Sequence, residues 1–439
     1  MSVFRKYDVR GAYPSDIDEE KAKKIAKAFA EVKNLHGGTI AVGKDVRESS
    51  PKVSEAVIKG LLEQGCDVID IGTVATPMVY YTVVEYNLAG GAMVTASHNP
   101  PGDNGIRFCE EMGMDLTYES GISQMEKVYD RGFENRSYGK VSTEDVIPGF
   151  VKKVSSSVNL SEKPKIVIDP GNGSASLFAR DIFERMGCEV VEINSEADGS
   201  FPARGPDPVE NIGTVGDVVV DKRADLGVAF DGDGDRGTFV DERGERVDND
   251  VVLTLFVKNL MEKGDVVLHD VKSSKLVEDM AEELGVVNVP FRVGMSYIKR
   301  EMIKREADVG GEYTGHFFFK ENGYYDDPYY ATGRLLEIMD REGSLSDLVD
   351  ELPTYHSSPE FRIKCKNKEE IPKQLKEEFS DRKIVGKDGA KIYFRGGWAL
   401  VRPSGTEDKI SIRFEADTEK RLEEIKSNVM EKTKEYIEV

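Results

Sequence analysis

Three aspartates stand at alternating positions in AFDGDGDRGTFVD (229–241): Asp231, Asp233 and Asp235. Alternation on an extended chain turns all three carboxylates to one side, where they repel one another unless a cation sits among them; a hard oxygen set of this kind suits Mg²⁺. A calcium-binding EF-hand loop shares the spacing of Asp231, Asp233, Asp235 and Glu242. Its sixth position should be glycine, however, and here is Arg236, and the flanks read as strands rather than helices. A solvated acidic turn is the plainer alternative. Arg236 next to a metal would bind phosphoryl oxygens bidentately.

VTASHNPPGDNGIRF (94–108) places Ser97 and His98 on a turn after an apolar strand, with Pro100-Pro101-Gly102-Asp103 enforcing a loop. Ser97 is either a nucleophile or a turn serine bonded to its own backbone. His98 suggests a Ser–His pair, but neighbours on a strand point to opposite faces, which argues against a triad. GGEYTGHFFF (310–319) offers Glu312 and Thr314, a carboxylate and a hydroxyl that can bond two vicinal hydroxyls of a sugar. His316 there is either a proton carrier near neutral pH or a structural histidine. In LVRPSGTEDKISIR (400–413), Arg402, Ser404, Gly405 and Thr406 make an anion nest or an ordinary hairpin turn. FRKYDVRG (4–11) brings Tyr7 and Arg10, and DVKSSK (270–275) brings Lys272, onto loops.

Elements that could position these groups alternate along the chain. Residues 15–33 read as an amphipathic helix capped by Ser15 or Asp16, with Ile25, Phe29 and Val32 on one face. TIAVGKD (39–45) reads as a strand, and Ser50-Pro51 opens a helix with Ser50 as its cap. CDVIDIG (66–72) and GGAMVTASHN (90–99) supply two more strands. The same pattern recurs in 164–173, 188–194 and 224–235, and again in 265–274, 286–294 and 307–319. In each set the third strand runs into one of the unusual loops. The expected fold class is therefore α/β: three similar mixed α/β domains (1–147, 148–248 and 249–356) with a C-terminal α+β domain (357–439) around a central cleft. A closing helix is expected over 418–437, with Leu422, Ile425 and Val429 inward.

A chain of 439 residues is expected to form more than one domain and buries enough core to fold without disulfides. The four cysteines, Cys66, Cys109, Cys188 and Cys365, form no CxxC pair, so a zinc ribbon or redox dithiol is not expected, and free thiols suit a reducing compartment. A net charge of −21 argues against nucleic acid, and it requires that any anionic ligand be met by local positive groups. The opening MSVFRKYDVRG has no apolar segment and no run of about 18 apolar residues follows, so a cytoplasmic protein without a membrane partner is expected.

Taken in order, the serine loop, metal loop, sugar loop and phosphate loop resemble the α-D-phosphohexomutase family over essentially the whole chain. TASHNPPGDNG and DGDGDR carry the most specific part of the resemblance, and RPSGTED a lesser part. GKDVRESSP (43–51), DIGTVATP (70–77), DPGNG (169–173) and FPARGPDPVEN (201–211) look like further family segments. The resemblance implies a phosphoserine at Ser97 that donates and accepts the phosphoryl group. It implies one Mg²⁺ per chain held by Asp231, Asp233, Asp235 and the phosphoserine oxygen, and a hexose 1,6-bisphosphate intermediate that also serves as activator. Arg10, His98, Arg107, Arg236 and His316 join Ser97 as catalytic candidates. Tyr7, Lys272, Arg292, Glu312, Thr314, Arg402, Ser404, Gly405 and Thr406 are candidates for binding small-molecule sugar phosphates.

Several positions depart from the family pattern. Arg107 stands where relatives often have a lysine, and a guanidinium stays protonated, so it orients or stabilises but makes a poor base. Arg292 and Met295 stand where many relatives have a KTGH-type segment, and Thr314 replaces a serine. The opening looks like the phosphomannomutase/phosphoglucomutase branch, which implies mannose and glucose phosphates as substrates; phosphoglucosamine mutase is the alternative. A non-catalytic sugar-phosphate sensor would not need Ser97 and the three aspartates, all of which are present. A homo-oligomer is compatible with this reading.

Overall fold

The computed structural model describes residues 2–134, 136–404 and 408–437. The chain divides into two compact units, Met1–Asp248 with Thr314–Leu348, and Asn249–Tyr313 with Val349–Val439.

In the first unit a six-stranded sheet runs, edge to edge, Val9–Ala12, Asp103–Glu110, Gly90–Val94, Thr39–Lys44, Asp67–Thr73 and Val141–Thr143. The last four are parallel and the first two antiparallel. A second sheet runs Arg246–Val247, Gly237–Val240, Leu226–Phe230, Lys165–Asp169 and Glu189–Glu192, its last three strands parallel. The second unit holds three parallel strands, Val287–Phe291, Val266–Asp270 and Val309–Gly311. Among the parallel strands of each sheet, the one that comes first in the chain (Thr39–Lys44, Lys165–Asp169 and Val266–Asp270) lies between the second and the third. The repetition expected from the sequence is thus one parallel topology built three times, with helices such as Ser50–Glu63 and Thr76–Glu85 making the crossovers. Gly90–Val94 and Leu226–Phe230 are buried at every position, as central parallel strands covered on both faces must be. In the first two sheets the third strand turns back into an antiparallel neighbour, and the serine loop and the metal loop are those two turns.

Two helix starts differ from expectation. The first helix is Glu19–Val32, and its cap is Asp18, whose carboxylate accepts from the Lys21 amide at 2.8 Å. The helix Ser50–Glu63 has Ser49, not Ser50, at its cap position and no side-chain capping bond. Ser50 instead donates its hydroxyl to Asp45 Oδ1 at 2.5 Å, because the buried Asp45 carboxylate needs partners more than a solvated helix end does.

The C-terminal part of the second unit is an antiparallel sheet, His356–Ser357, Lys409–Ala416, Gly397–Pro403, Ala390–Phe394 and Ile384–Val385, with Phe361–Lys364 also paired to Lys409–Ala416. The helix Glu419–Tyr436 closes it with Leu422, Ile425 and Val429 buried, as expected. Trp398 is fully buried there; its Nε1 donates to Glu415 Oε1 at 2.9 Å, and the Lys391 ammonium lies 4.5 Å from its ring. Lys391 Nζ and Tyr393 Oη both donate to Glu278 Oε1, at 2.8 and 2.7 Å. All four cysteines are buried free thiols. Among the described residues no helix is long and apolar enough to cross a membrane.

Candidate active site

Ser97 is buried and sits at φ 50°, in the left-handed region. Its amide donates to Thr95 Oγ1 at 2.7 Å. Strand alternation therefore stops at this residue, and the expectation that Ser97 and His98 point apart does not hold: Ser97 Oγ lies 3.1 Å from His98 Nδ1. It also lies 3.0 Å from Asp231 Oδ2. The charge of Arg236, and then burial, hold the His98 pKa well below its ordinary value, so its imidazole is neutral near pH 7.

One buried side chain holds the loop in this shape. Arg47 donates from Nη2 to the carbonyls of Ser97 and Asn99, each at 2.7 Å, and from Nη1 to those of Pro100 (2.6 Å) and Asp103 (3.2 Å). Its Nε donates to Asp45 Oδ2 at 3.0 Å, and its guanidinium lies 5.0 Å from the Phe201 ring. A second buried arginine, Arg204, ties the strand before the metal loop: it donates to Asp169 Oδ2 at 2.7 Å and to the Phe230 carbonyl at 2.5 Å. The two loops meet at Gly232, where a Cβ would stand 2.8 Å from the Ser97 carbonyl oxygen.

The convergence of the three aspartates is made differently from the alternation expected. Asp231, Asp233 and Asp235 lie on a turn that contains Gly234 at φ 70°, not on extended chain. Each has at least one oxygen engaged by the protein. Asp231 Oδ1 accepts from the Asp235 and Arg236 amides at 3.0 and 3.1 Å. Asp233 Oδ2 accepts from Thr76 Oγ1 at 2.6 Å, and Asp235 Oδ2 accepts from Arg107. Asp231 Oδ2 faces Ser97, while Asp233 Oδ1 and Asp235 Oδ1 are buried without a hydrogen-bond donor. Ligand atoms of the three lie within 4.8 Å of one another. Burial, and then the charges of Asp235 and Asp233, push the Asp231 pKa well above the carboxylate range. A hard divalent cation fits this set, since it would satisfy the two orphaned oxygens and remove that penalty. The flanks are strands, so the EF-hand alternative fails on fold as well as on sequence.

Arg236 donates from Nε to His316 Nε2 at 3.0 Å and approaches Asp231 Oδ2 at 3.9 Å and Asp207 Oδ2 at 4.0 Å. His316 Nδ1 lies 2.9 Å from Asp326 Oδ2 and 3.8 Å from Asp235 Oδ1. Burial works to lower the His316 pKa, but Asp235 and Asp326 raise it further than burial lowers it. Against them, Arg236 occupies the Nε2 lone pair that a second proton would need. Arg107 is buried, and its bond to Asp235 makes it a partner of the metal loop. Arg10 reaches the serine loop through Asn99 Oδ1 at 2.8 Å and pairs with Asp8 at 2.5 Å. Thr314 is half-buried on the turn before His316, and Tyr7 is half-buried on the turn before Val9–Ala12.

In the second unit, Glu312 is buried and accepts from the Gly294 amide at 2.7 Å. The Arg292 guanidinium lies 3.6 Å from the Tyr297 ring. Met295 is buried at the start of the helix Met295–Arg305. Arg402 pairs with Asp388 at 2.9 Å, and the same carboxylate accepts from the Val293 amide at 3.2 Å, so Asp388 ties the 292–295 segment to the phosphate loop. Lys272 Nζ lies 3.1 Å from Glu360. Ser404 follows the strand Gly397–Pro403 and accepts on its carbonyl from Lys368 Nζ at 3.1 Å; Gly405 and Thr406 lie outside the described residues.

Sequence reasoning missed Arg47, Thr76, Arg204, Asp326 and Asp388. The first three lie in segments already marked by the family resemblance, which was the available signal; Asp326 and Asp388 carried none.

Four family models match the chain in order: phosphoglucomutase/phosphomannomutase alpha/beta/alpha domain I at residues 1–136, domain II at 147–244, domain III at 248–355 and the C-terminal domain at 360–432. The phosphomannomutase/phosphoglucomutase of Pseudomonas syringae pv. tomato is 35% identical over 97% of this chain and 93% of its own. The phosphoglucomutase/phosphomannomutase of Thermococcus kodakarensis is 34% identical over 96% of each. A crystal structure of a phosphoglucomutase/phosphomannomutase family protein from Burkholderia thailandensis superposes with a TM-score of 0.92 at 31% identity, covering 99% of this chain and 98% of that one. A chain that matches all four models in sequence, and such relatives over nearly its full length, belongs to the phosphoglucomutase/phosphomannomutase family.

Proposed function

We propose that this protein is a phosphohexomutase that interconverts hexose 6-phosphate and hexose 1-phosphate, with mannose and glucose as the sugars, through a phosphoryl group carried on Ser97. The observation that supports it best is Ser97 Oγ, buried, 3.0 Å from one carboxylate of a cluster built to hold a divalent cation. Phospho-Ser97 gives its phosphoryl to the free hydroxyl of the sugar phosphate: the Oγ–P bond breaks, the sugar O–P bond forms, and the proton lost by the sugar hydroxyl is made up at the Ser97 oxygen that the phosphoryl group leaves. The product is a hexose 1,6-bisphosphate. Its other phosphoryl then passes back to Ser97: that sugar O–P bond breaks, the Oγ–P bond re-forms, the Ser97 proton leaves, and the freed sugar oxygen takes up a proton to become the product hydroxyl. Two groups lie within reach of the Ser97 proton, and of these we assign His98 Nδ1 at 3.1 Å, because it is neutral and Asp231 belongs to the cation set. A bisphosphate supplied from outside acts as activator by the same return step.

The charge in flight is spread over phosphoryl oxygens, so the work of the protein is positioning and electrostatics. Asp231, Asp233 and Asp235 would hold Mg²⁺, which when bound would neutralise charge on the transferred group. Arg236, held by His316, and Arg10 meet that charge with fixed donors in a chain that is otherwise strongly acidic. Glu312 and Thr314 are assigned to sugar hydroxyls; Tyr7, Lys272, Arg292, Arg402, Ser404, Gly405 and Thr406 are assigned to the substrate and its non-reacting phosphate. A cytoplasmic setting, where sugar phosphates are retained, suits this reading.

Intact-mass spectrometry of the purified protein should show a form heavier by one phosphoryl group, absent in Ser97→Ala, and that variant should lose mutase activity by orders of magnitude. Full activity in Ser97→Ala would sink the mechanism. Rates with the 1-phosphates of mannose, glucose and glucosamine then set the sugar preference and test the phosphoglucosamine alternative.

A further inference from the structure

Asp388 belongs to none of the motifs that mark the site. It stands on the turn between the strands Ile384–Val385 and Ala390–Phe394. The next residue, Gly389, is pressed onto the strand that leads into the phosphate loop: a Cβ there would lie 2.3 Å from the Val401 carbonyl oxygen and 2.7 Å from Arg402 Cα. The Asp388 carboxylate therefore meets the Arg402 side chain at close quarters, with Oδ2 2.9 Å from Nη2. Each of the two side chains is 12% exposed, so the pair is largely shielded from water but not sealed from a ligand. The same Oδ2 accepts from the Val293 amide at 3.2 Å. The next amide along the chain, that of Gly294, donates to Glu312 Oε1 at 2.7 Å.

Two consecutive amides thus serve two carboxylates. Gly294 sits at φ 125°, where side chains rarely go, and the peptide unit that joins the two amides is planar. Arg402 is therefore linked to Glu312 through one carboxylate and one peptide unit, with a carboxylate accepting every bond of the link. Charge alone does not account for Asp388: a carboxylate beside Arg402 cancels part of the attraction that an anionic ligand would feel. Position does account for it. A guanidinium on a long stem has many rotamers, and the pair with Asp388 selects one that stands at a set distance from Glu312. We propose that Asp388 is a positioning residue that sets the span between the phosphate grip at Arg402 and the sugar grip at Glu312. The inference rests on the proposed assignment of those two residues to the substrate.

Kinetics with two probes test it: mannose 1-phosphate as substrate and inorganic phosphate as competitive inhibitor. The sugar phosphate needs both grips at the right span, whereas inorganic phosphate needs Arg402 alone. In Asp388→Asn, KM for mannose 1-phosphate should rise about tenfold, the scale of leaving one long side chain to be ordered on binding, with kcat within about threefold. Ki for inorganic phosphate should stay within about twofold or fall, because Arg402 keeps its charge and sheds a competing carboxylate. In the Arg402→Ala background the same substitution should change KM by no more than about twofold, because the side chain through which Asp388 acts is gone. An unchanged or lower KM in Asp388→Asn overturns the proposal, since Asp388 would then only screen Arg402. Equal rises in KM and Ki, or equal losses in both backgrounds, overturn it too. Should Asp388→Asn fail to fold, Asp388→Glu decides by the same readouts, because it keeps the charge but moves the carboxylate by one methylene. Arg402→Ala with both KM and Ki unchanged would instead mark failure of the underlying functional reading.

Discussion

Replacing Arg47 by lysine isolates what holds the serine loop in place. Arg47 uses five N–H donors on five acceptors: the carbonyls of Ser97, Asn99, Pro100 and Asp103, and the Asp45 carboxylate. Lysine keeps the positive charge for Asp45 but has three donors, so at least two buried acceptors lose their partner. Each orphaned acceptor costs about 1–3 kcal/mol, which puts Arg47→Lys about 2–6 kcal/mol below the wild type. The carbonyls that compete for the remaining donors include that of Ser97 itself, which sits in a strained left-handed conformation that its surroundings must enforce. Relaxation there moves Oγ away from Asp231 and His98. A displacement of the reacting group by about 1 Å costs on the order of 100-fold in rate, so kcat should fall by about that factor, with KM changing far less. Urea unfolding followed by circular dichroism gives the stability, and the mutase assay gives the rate. A variant within about 0.5 kcal/mol of the wild type, with kcat within twofold, would refute the reasoning, because additivity of the lost bonds could not then be hidden in measurement error.

Thr76→Val keeps shape but removes the hydroxyl that holds Asp233 Oδ2; Mg²⁺ affinity measured by calorimetry should fall about tenfold, and an unchanged affinity would show that the turn alone orients Asp233. Because burial and like charge raise the Asp231 pKa, a proton competes with the cation: Mg²⁺ should bind more tightly as pH rises through that raised value and should release protons, seen as a binding heat that depends on the buffer's ionisation enthalpy. Glu278 is the opposite case. Burial opposes its ionisation, but Lys391, His269 and Tyr393 outweigh it and hold its pKa below the ordinary value near about 4.3. Its contribution is therefore present above that value and lost as pH falls through the lower folded one, so Glu278→Gln should flatten the acid side of the stability profile. An identical acid limb in the variant would count against this assignment.

The strands were legible because parallel, doubly covered strands are unbroken apolar runs; Leu226–Phe230 could hardly be anything else. The chemistry-bearing loops were legible because each is a cluster of unusual residues at the end of such a run. What stayed hidden depends on contacts across long stretches of chain. Arg47 acts on carbonyls some fifty residues away, and a backbone oxygen leaves no mark in the residue names. Asp326 sits in a YYDDPYY segment where Asp327 explains the pattern as a helix cap, so local reading stops at the wrong aspartate. The Ser97–His98 expectation, and the route by which the three aspartates were expected to converge, went wrong for one cause. Both assumed extended chain, and both sites are turns with a residue at positive φ, Ser97 in one and Gly234 in the other.

Trp398 is the chain's single tryptophan, buried in the second unit against Lys391 and Glu415. Its emission is therefore an optical label that nature placed in one unit alone. It should be blue-shifted while that unit is folded and move to the red when water reaches the indole. Circular dichroism, by contrast, sums both units. Superposed transitions from the two signals would mean that the units unfold as one, and separated transitions would give each unit its own stability without any engineered probe.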